Sequence, residues 1–523
     1  MNLNYYLKKI LRLKKRIFLD LEYKKFIKIF GKINHHPSQE KDKDIVIIQL
    51  VEGNYPFFNT FLLLKNKNLI NKNVVGLWTF CVSREQGFLN TLKFFIELFI
   101  QFLIKKKWEK MYKSIGINTI YFLNNDLKNN FFIPNDNFIK KNLKIKKKEK
   151  ILDIKYDKIE VGDLIYDHYL RFYKQTTFQI NDINSFKYIL NYTKNMFENL
   201  SNIKKELGNK LKYYIPQQTP YLQHGIPLRF FLKNKMTVIG GHEDMNTYIK
   251  KYTQQWPFDN RDINIIRSEF KKLNNKNKKI QLARKILNKK FRGGKVKELF
   301  QIKNPYLSKK EKIENIDIII FLPGFDDAPH CYGNHVFNDF NEWIHETLIF
   351  LSETTVKVAI KPHPWTTWRS HVFIEKLKNK FPNFNWLEKT TSNKGILKKK
   401  PSVCINPYGT VLHEMAFNNV VPITTGANPY VSYNFAFTPK TKMEYFKFLK
   451  LGINRKLKLP KNFKKEILEW YYMYYLHNDD FFENFQRKIN LKSILPIDHD
   501  MELKLFKIFN KKYLNVLKKL FKT

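Results

Sequence analysis

The chain has 523 residues, 43% of them hydrophobic, and carries 94 Lys and Arg against 47 Asp and Glu, a formal net charge of +47. That length exceeds one ordinary core and fits two domains with additions. Cys81, Cys331 and Cys404 are scattered, odd in number and in no Cys-x-x-Cys pair, which argues against a disulfide framework or thiolate metal site and fits a reducing, cytoplasmic compartment.

The lysines run through the whole length among Asn, Ile and Phe, without a zinc-finger, RNA-recognition or basic-zipper pattern. A lysine-rich solvated surface is therefore expected, and no nucleic-acid partner. A basic nucleic-acid-binding protein stays as the alternative of another class. Attraction to an anionic substrate or membrane surface is the third consequence of such charge. Charges are threaded through the apolar residues of MNLNYYLKKILRLKKRIF, so no signal peptide is expected. The most apolar run, FFIELFIQFLI (94–104), contains Glu97 and falls short of the ~20 residues that a spanning helix needs.

In chain order, residues 1–42 read as a basic amphipathic helix and a polar linker. DIVIIQL (44–50) is a continuous β-branched run, the mark of a parallel strand buried on both faces. Strand 73–80, helix 88–113 and strand 117–123 follow, then a lysine-rich excursion over 134–160. VGDLIYDHYLRFY (161–173) precedes a helix at 183–199, and 219–241 reads as loop, short helix and strand. Residues 246–314 are polar and helical in pattern, without strand signals. A second alternation then opens: strand 316–322, helix 337–352, strand 356–360, helix 371–381, and strands 384–388, 402–406 and 420–424, with a helix at 410–418. This alternation implies two Rossmann-like, doubly wound α/β domains facing across a cleft. The expected division is 1–42 helical extension, 43–245 N-terminal acceptor domain, 246–314 helical interdomain region, 315–435 C-terminal donor domain and 436–523 basic helices.

Chemistry is expected beyond the carboxyl ends of the strands. VKVAIKPHPWTTW (356–368) ends such a strand with His363 between two prolines, which hold the backbone still. In SVCINPYGTVLHEMAFNNVVPITTG, Gly409 permits a turn, Thr410 opens a helix whose first N–H groups suit an anion, and Glu414 lies one turn further on the same face.

YGTVLHEMAFNNVVPIT resembles the donor-binding segment of GT-B glycosyltransferases. Many of these have two glutamates eight positions apart; here the second is Glu414 and the first position holds Asn406. The pattern is closer to the His-Pro branch of capsule Kdo transferases, bacterial polysialyltransferases and CDP-glycerol-type polymerases, through His363-Pro364 and Thr410. GFDDAPHCYGNHVFNDFNEWI, GDLIYDHYLRFY and YLQHGIPLRFFLKN resemble segments of surface-carbohydrate biosynthesis proteins.

The resemblance implies a glycosyltransferase that moves a sugar from a nucleotide-sugar to a surface polysaccharide or lipid-linked glycan. It implies no metal and no cofactor beyond the nucleotide-sugar substrate. A CDP-polyol phosphotransferase is the alternative within the same fold. His363 would stabilise the leaving phosphate. Lys361, Gly409, Thr410 and Glu414 would bind the donor, and Asp327 and His330 would orient donor or acceptor. His224 is the favoured general base, with Asp167, Asp163 and Glu52 as the other choices. Asp326-Asp327 is weak as a metal pair. The basic, amphipathic termini, 1–30 and 500–523, either lie on the inner face of the cytoplasmic membrane or pack back on the protein.

Overall fold

The computed structural model describes residues 43–53, 72–79, 88–123, 136–243, 246–251, 266–294, 305–307, 313–364 and 366–477, with isolated positions between 17 and 296. Most of the expected N-terminal helix, the loop at 81–87 and the tail at 500–523 lie outside the described residues.

The N-terminal half contains β1 (Ile45–Leu50), β2 (Asn73–Thr79), α1 (Phe88–Ser114), β3 (Ile120–Leu123), α2 (Asn137–Leu143), β4 (Lys155–Tyr156), β5 (Ile159–Glu160), α3 (Gly162–Tyr173), α4 (Ile183–Leu207), β6 (Leu211–Ile215), α5 (Leu222–Lys233), β7 (Thr237–Glu243) and β8 (Asn246–Lys251). Its main sheet has the order β3-β2-β1-β6-β7-β8. Pairing is parallel from β3 to β7 and antiparallel between β7 and β8. Val46, Ile47, Ile48 and Leu50 of β1 are fully buried, as an apolar run broken only by Gln49 requires of a central strand.

α6 (Ile266–Lys272) and α7 (Lys276–Phe291) follow. The second half holds β9 (Ile318–Phe321), α8 (Phe340–Ser352), β10 (Val358–Lys361), α9 (Trp368–Lys380), β11 (Asn385–Trp386), α10 (Asn393–Lys398), β12 (Val403–Ile405), α11 (Val411–Phe417), β13 (Val421–Ile423), α12 (Lys442–Ile453) and α13 (Phe463–Tyr471). Its sheet, β11-β10-β9-β12-β13, is parallel throughout.

In each sheet the first strand is central, two strands follow on one side, and the chain then crosses to the other. Both halves are thus doubly wound, as the sequence implies, with switch points between β1 and β6 and between β9 and β12. Two strands depart from the sequence reading. LKYYI forms β6 although lysine interrupts its apolar run. NTYIKK forms β8 inside the stretch 246–314 read as free of strands, so the first sheet continues past residue 245.

Candidate functional site

At the first switch point, Gln49 of β1 organises the carboxyl end of the sheet. Its Oε1 accepts the Gln217 backbone N–H at 3.0 Å, which fixes the amide orientation. Its Nε2 then donates to the Gln223 carbonyl at 3.0 Å and to His224 Nδ1 at 2.9 Å. The free Gln223 carbonyl follows from the sequence. Pro227 sits four residues on inside α5 and has no N–H to offer it. Since Nδ1 of His224 accepts, Nε2 carries the proton, and burial holds its pKa down at about 3. In this tautomer His224, the favoured base, has no ring lone pair left for a substrate hydroxyl. Glu52 is exposed on the loop after β1.

At the second switch point, Asn406 closes the turn after β12. Its Nδ2 donates to the Phe321 carbonyl at 2.6 Å and its Oδ1 accepts from the Tyr408 and Gly409 amides. A Cβ at position 409 would stand 2.5 Å from Asn406 Oδ1, so the Asn406-x-x-Gly409 spacing is a steric requirement. Thr410 opens α11 at its N-cap position, as the sequence implies, but it is exposed, has helical backbone angles and makes no side-chain cap bond.

Glu414 is buried. Tyr306 Oη donates to its Oε2 at 2.7 Å, and Lys290 of α7 pairs with Oε1. Both oxygens are thus occupied by protein. Lys361 is buried and donates to Asn393 Oδ1 at 2.6 Å. β10 ends at Lys361, so strand alternation does not carry it and His363 to a common face. His363 itself is exposed on the loop beyond. That loop is anchored at its far end. Thr367 Oγ1 and Ser370 Oγ donate to buried Asp326 Oδ1 at 3.1 and 3.0 Å.

The two switch points meet through α3 and the loop at 322–339, which follows β9. Gly162 lets α3 start against the preceding turn, since a Cβ there would lie 2.1 Å from the Ile151 carbonyl oxygen. From α3, Asp167 reaches across the halves. Its Oδ1 lies 2.6 Å from His330 Nδ1, and its Oδ2 accepts the His330 backbone N–H at 3.2 Å. Burial pushes the Asp167 carboxyl up to about 6, against the pull of His330. Burial opposes charging His330, but Asp167, helped by Asp163 and Asp339, outweighs it and raises the imidazole above its ordinary value. With Nδ1 turned to the carboxylate, Nε2 is the working nitrogen. It is buried and, among the described residues, has no hydrogen-bond partner.

Other polar contacts close the same seam. Tyr166 Oη and Thr177 Oγ1 each donate to Asp339 Oδ2 at 2.5 Å, with Lys148 Nζ 3.3 Å from it. Asn341 Nδ2 donates to Thr176 Oγ1 at 2.9 Å. Tyr221 Oη donates to Asp327 Oδ1 at 2.8 Å. Tyr221 has φ +64° and ψ 164°, a region costly for any side-chain-bearing residue (~1–3 kcal/mol), and such strain gathers at functional sites. Asp163 is held below the usual carboxylate range: burial works against its ionisation, and the bidentate Arg229 guanidinium at 2.7 and 2.5 Å prevails.

The structure therefore brings Asp167, His330 and Asp327 together at the seam. It leaves His363 on an adjacent loop, and it gives His224, Lys361 and Glu414 partners within the protein. Sequence reading missed Asp339, whose role depends on partners more than 160 residues away. Among the described residues no group of three or more His, Cys, Asp or Glu could hold a metal ion, and no helix is long and apolar enough to cross a membrane.

No family model and no curated protein matches the chain. Three solved structures illustrate the similarities found. The N-terminal domain of trehalose-6-phosphate phosphatase from Candida albicans shares 10% identity over 88% of this chain and 99% of its own, at a TM-score of 0.30. UDP-GlcNAc 2-epimerase from Neisseria meningitidis, bound to UDP-GlcNAc, shares 9% over 90% and 99%, at 0.22. The wall teichoic acid polymerase TagF shares 11% over 99% of each chain, at 0.20. Likenesses this loose assign no activity.

Proposed function

We propose that the chain is a nucleotide-sugar-dependent glycosyltransferase, with a surface polysaccharide or lipid-linked glycan as acceptor and His330 as its general base. The observation that carries this reading is the Asp167–His330 couple, joined at 2.6 Å between two doubly wound halves at the carboxyl end of β9. A carboxylate behind Nδ1 orients the imidazole and stabilises its charged form, leaving Nε2 to take a proton.

In this reading the acceptor hydroxyl gives its proton to His330 Nε2. Its oxygen bonds to the anomeric carbon as the bond from that carbon to the phosphate oxygen breaks, and the electron pair leaves with the nucleotide. His363, on the loop tied to Asp326, would meet the leaving phosphate, with the Gly409-Thr410 turn on the donor side. Asp327 would hold Tyr221 against the acceptor side. Nε2 is sealed in the present arrangement, so the seam must part to admit substrate.

Purified protein incubated with CMP-, CDP-, UDP- and GDP-linked donors and a glycan acceptor tests this by nucleotide release. One donor should be consumed, and His330→Ala should slow it by about 10²–10⁴-fold. Transfer of a polyol phosphate from a CDP-polyol would move the reaction centre to phosphorus. Consumption of no donor would sink the reading.

A further inference from the structure

The outer face of α1 is neither ordinary core nor ordinary surface. Its inner face packs Phe94, Leu98, Ile104, Trp108, Met111 and Tyr112 into the protein. On the opposite side Phe95, Phe99 and Phe102 are 44%, 62% and 42% exposed, with Ile96 beside them at 51%. At roughly 100° per residue the three phenylalanines fall within about 60° of one another. Lys106, Lys110 and Lys113 continue the same line and are exposed too. Lys106 Nζ stands 4.6 Å over the Phe102 ring, and Lys113 pairs with Glu109 at 2.7 Å. One helix thus presents a single line that is phenylalanine along its N-terminal part and lysine along its C-terminal part.

Three partners suit an apolar line of this kind, and charge and shape choose among them. A second copy would bring another chain of net charge +47, and its lysines, against these lysines. A protein partner of stable affinity needs about 1,000 Å² of complementary surface, whereas this line is narrow and convex. A bilayer surface receives a convex helix without complementary shape, takes aromatic side chains at the boundary between headgroups and acyl chains, and offers anionic lipids to lysine. Spanning is excluded for this helix by the same count that made its apolar run too short.

We propose that α1 docks on an anionic bilayer surface. Phe95, Phe99 and Phe102 enter the headgroup–acyl boundary, and Lys106, Lys110 and Lys113 engage lipid phosphates. The proposal does not depend on the glycosyltransferase reading, and it differs from attachment through the basic termini.

Flotation of the full chain with phosphatidylcholine vesicles, and with vesicles also containing phosphatidylglycerol, at low and high salt, tests it. The parent should float with the anionic vesicles and lose them as salt rises. Phe99→Glu should lower the partition coefficient at least about tenfold with an unchanged melting temperature. K106Q/K110Q/K113Q should weaken binding and flatten its salt dependence, a second readout that leaves the phenylalanines in place. A parent that never floats, or flotation equal in parent and Phe99→Glu, overturns the proposal. So does a dimer that Phe99→Glu converts to monomer in light scattering, since that makes the occupant a second copy.

Discussion

Asp167 and His330 are 163 residues apart in sequence and 2.6 Å apart in space, and each changes what the other can do. Glu414 poses the opposite case. Its place one turn into the helix after Gly409 suits a ribose contact, yet its oxygens hold Lys290 and Tyr306. Lys290 is only 1% exposed, so removing Glu414 takes a close counter-charge from a buried cation, which costs about 3–5 kcal/mol. Glu414→Ala should therefore lower the urea midpoint sharply. Unchanged stability with lost nucleotide affinity would instead return Glu414 to the ribose.

At the scale of elements, the two switch points were legible because parallel central strands are written as predominantly apolar, β-branched runs. DIVIIQL and IDIIIFL announce β1 and β9 directly. β6 and β8 were not legible. Lysine in LKYYI and the polar NTYIKK mask strands that tertiary pairing defines. Asp167 and His330 were each visible as functional residues, but their meeting depends on how α3 lies against the loop at 322–339. Gly162 is the hinge of that placement. Gly162→Ala should destabilise by about 1–3 kcal/mol, because its Cβ would strike backbone at Ile151 and Leu152, where no side chain can yield. Equilibrium urea unfolding measures it, and a parent-like midpoint would mean that α3 starts elsewhere.

For the whole molecule, the seam is polar and several buried histidines are titratable. Burial depresses His168 and His224 to about 3 and His335 to about 4. A folded pKa below the unfolded value of ~6.5 means that the unfolded chain binds more protons as pH falls below ~6.5. Stability should then fall between pH 6.5 and 4, by up to roughly 1.4 kcal/mol per pH unit for each such histidine. His330 has the opposite sign: its contribution is full below ~6.5 and is lost as pH rises through its raised folded pKa. Urea unfolding across pH 4–8 measures the balance, and a flat profile below 6.5 would contradict the burial of the three. Asp339 ties the halves through Tyr166, Thr177 and Lys148 while capping α8 at Glu342. Asp339→Ala should cost about 2.5–4 kcal/mol, combining a cap of about 1 with bonds to a carboxylate of about 1.5–3. Hydrogen exchange should then rise first in α3 and residues 322–339; uniform exchange would mean that the halves do not part there.

The central claim is that Asp167 makes His330 a base, and the pH dependence of kcat/KM for the consumed donor tests it most directly. A neutral Nε2 is the active form, so the rate should climb with pH on a limb whose apparent pKa lies above the ordinary 6.5. Asp167→Asn removes the charge that raises it while burial remains, so the limb should move to lower pH as the plateau rate falls. Parent and Asp167→Asn sharing one limb and one plateau would contradict the account.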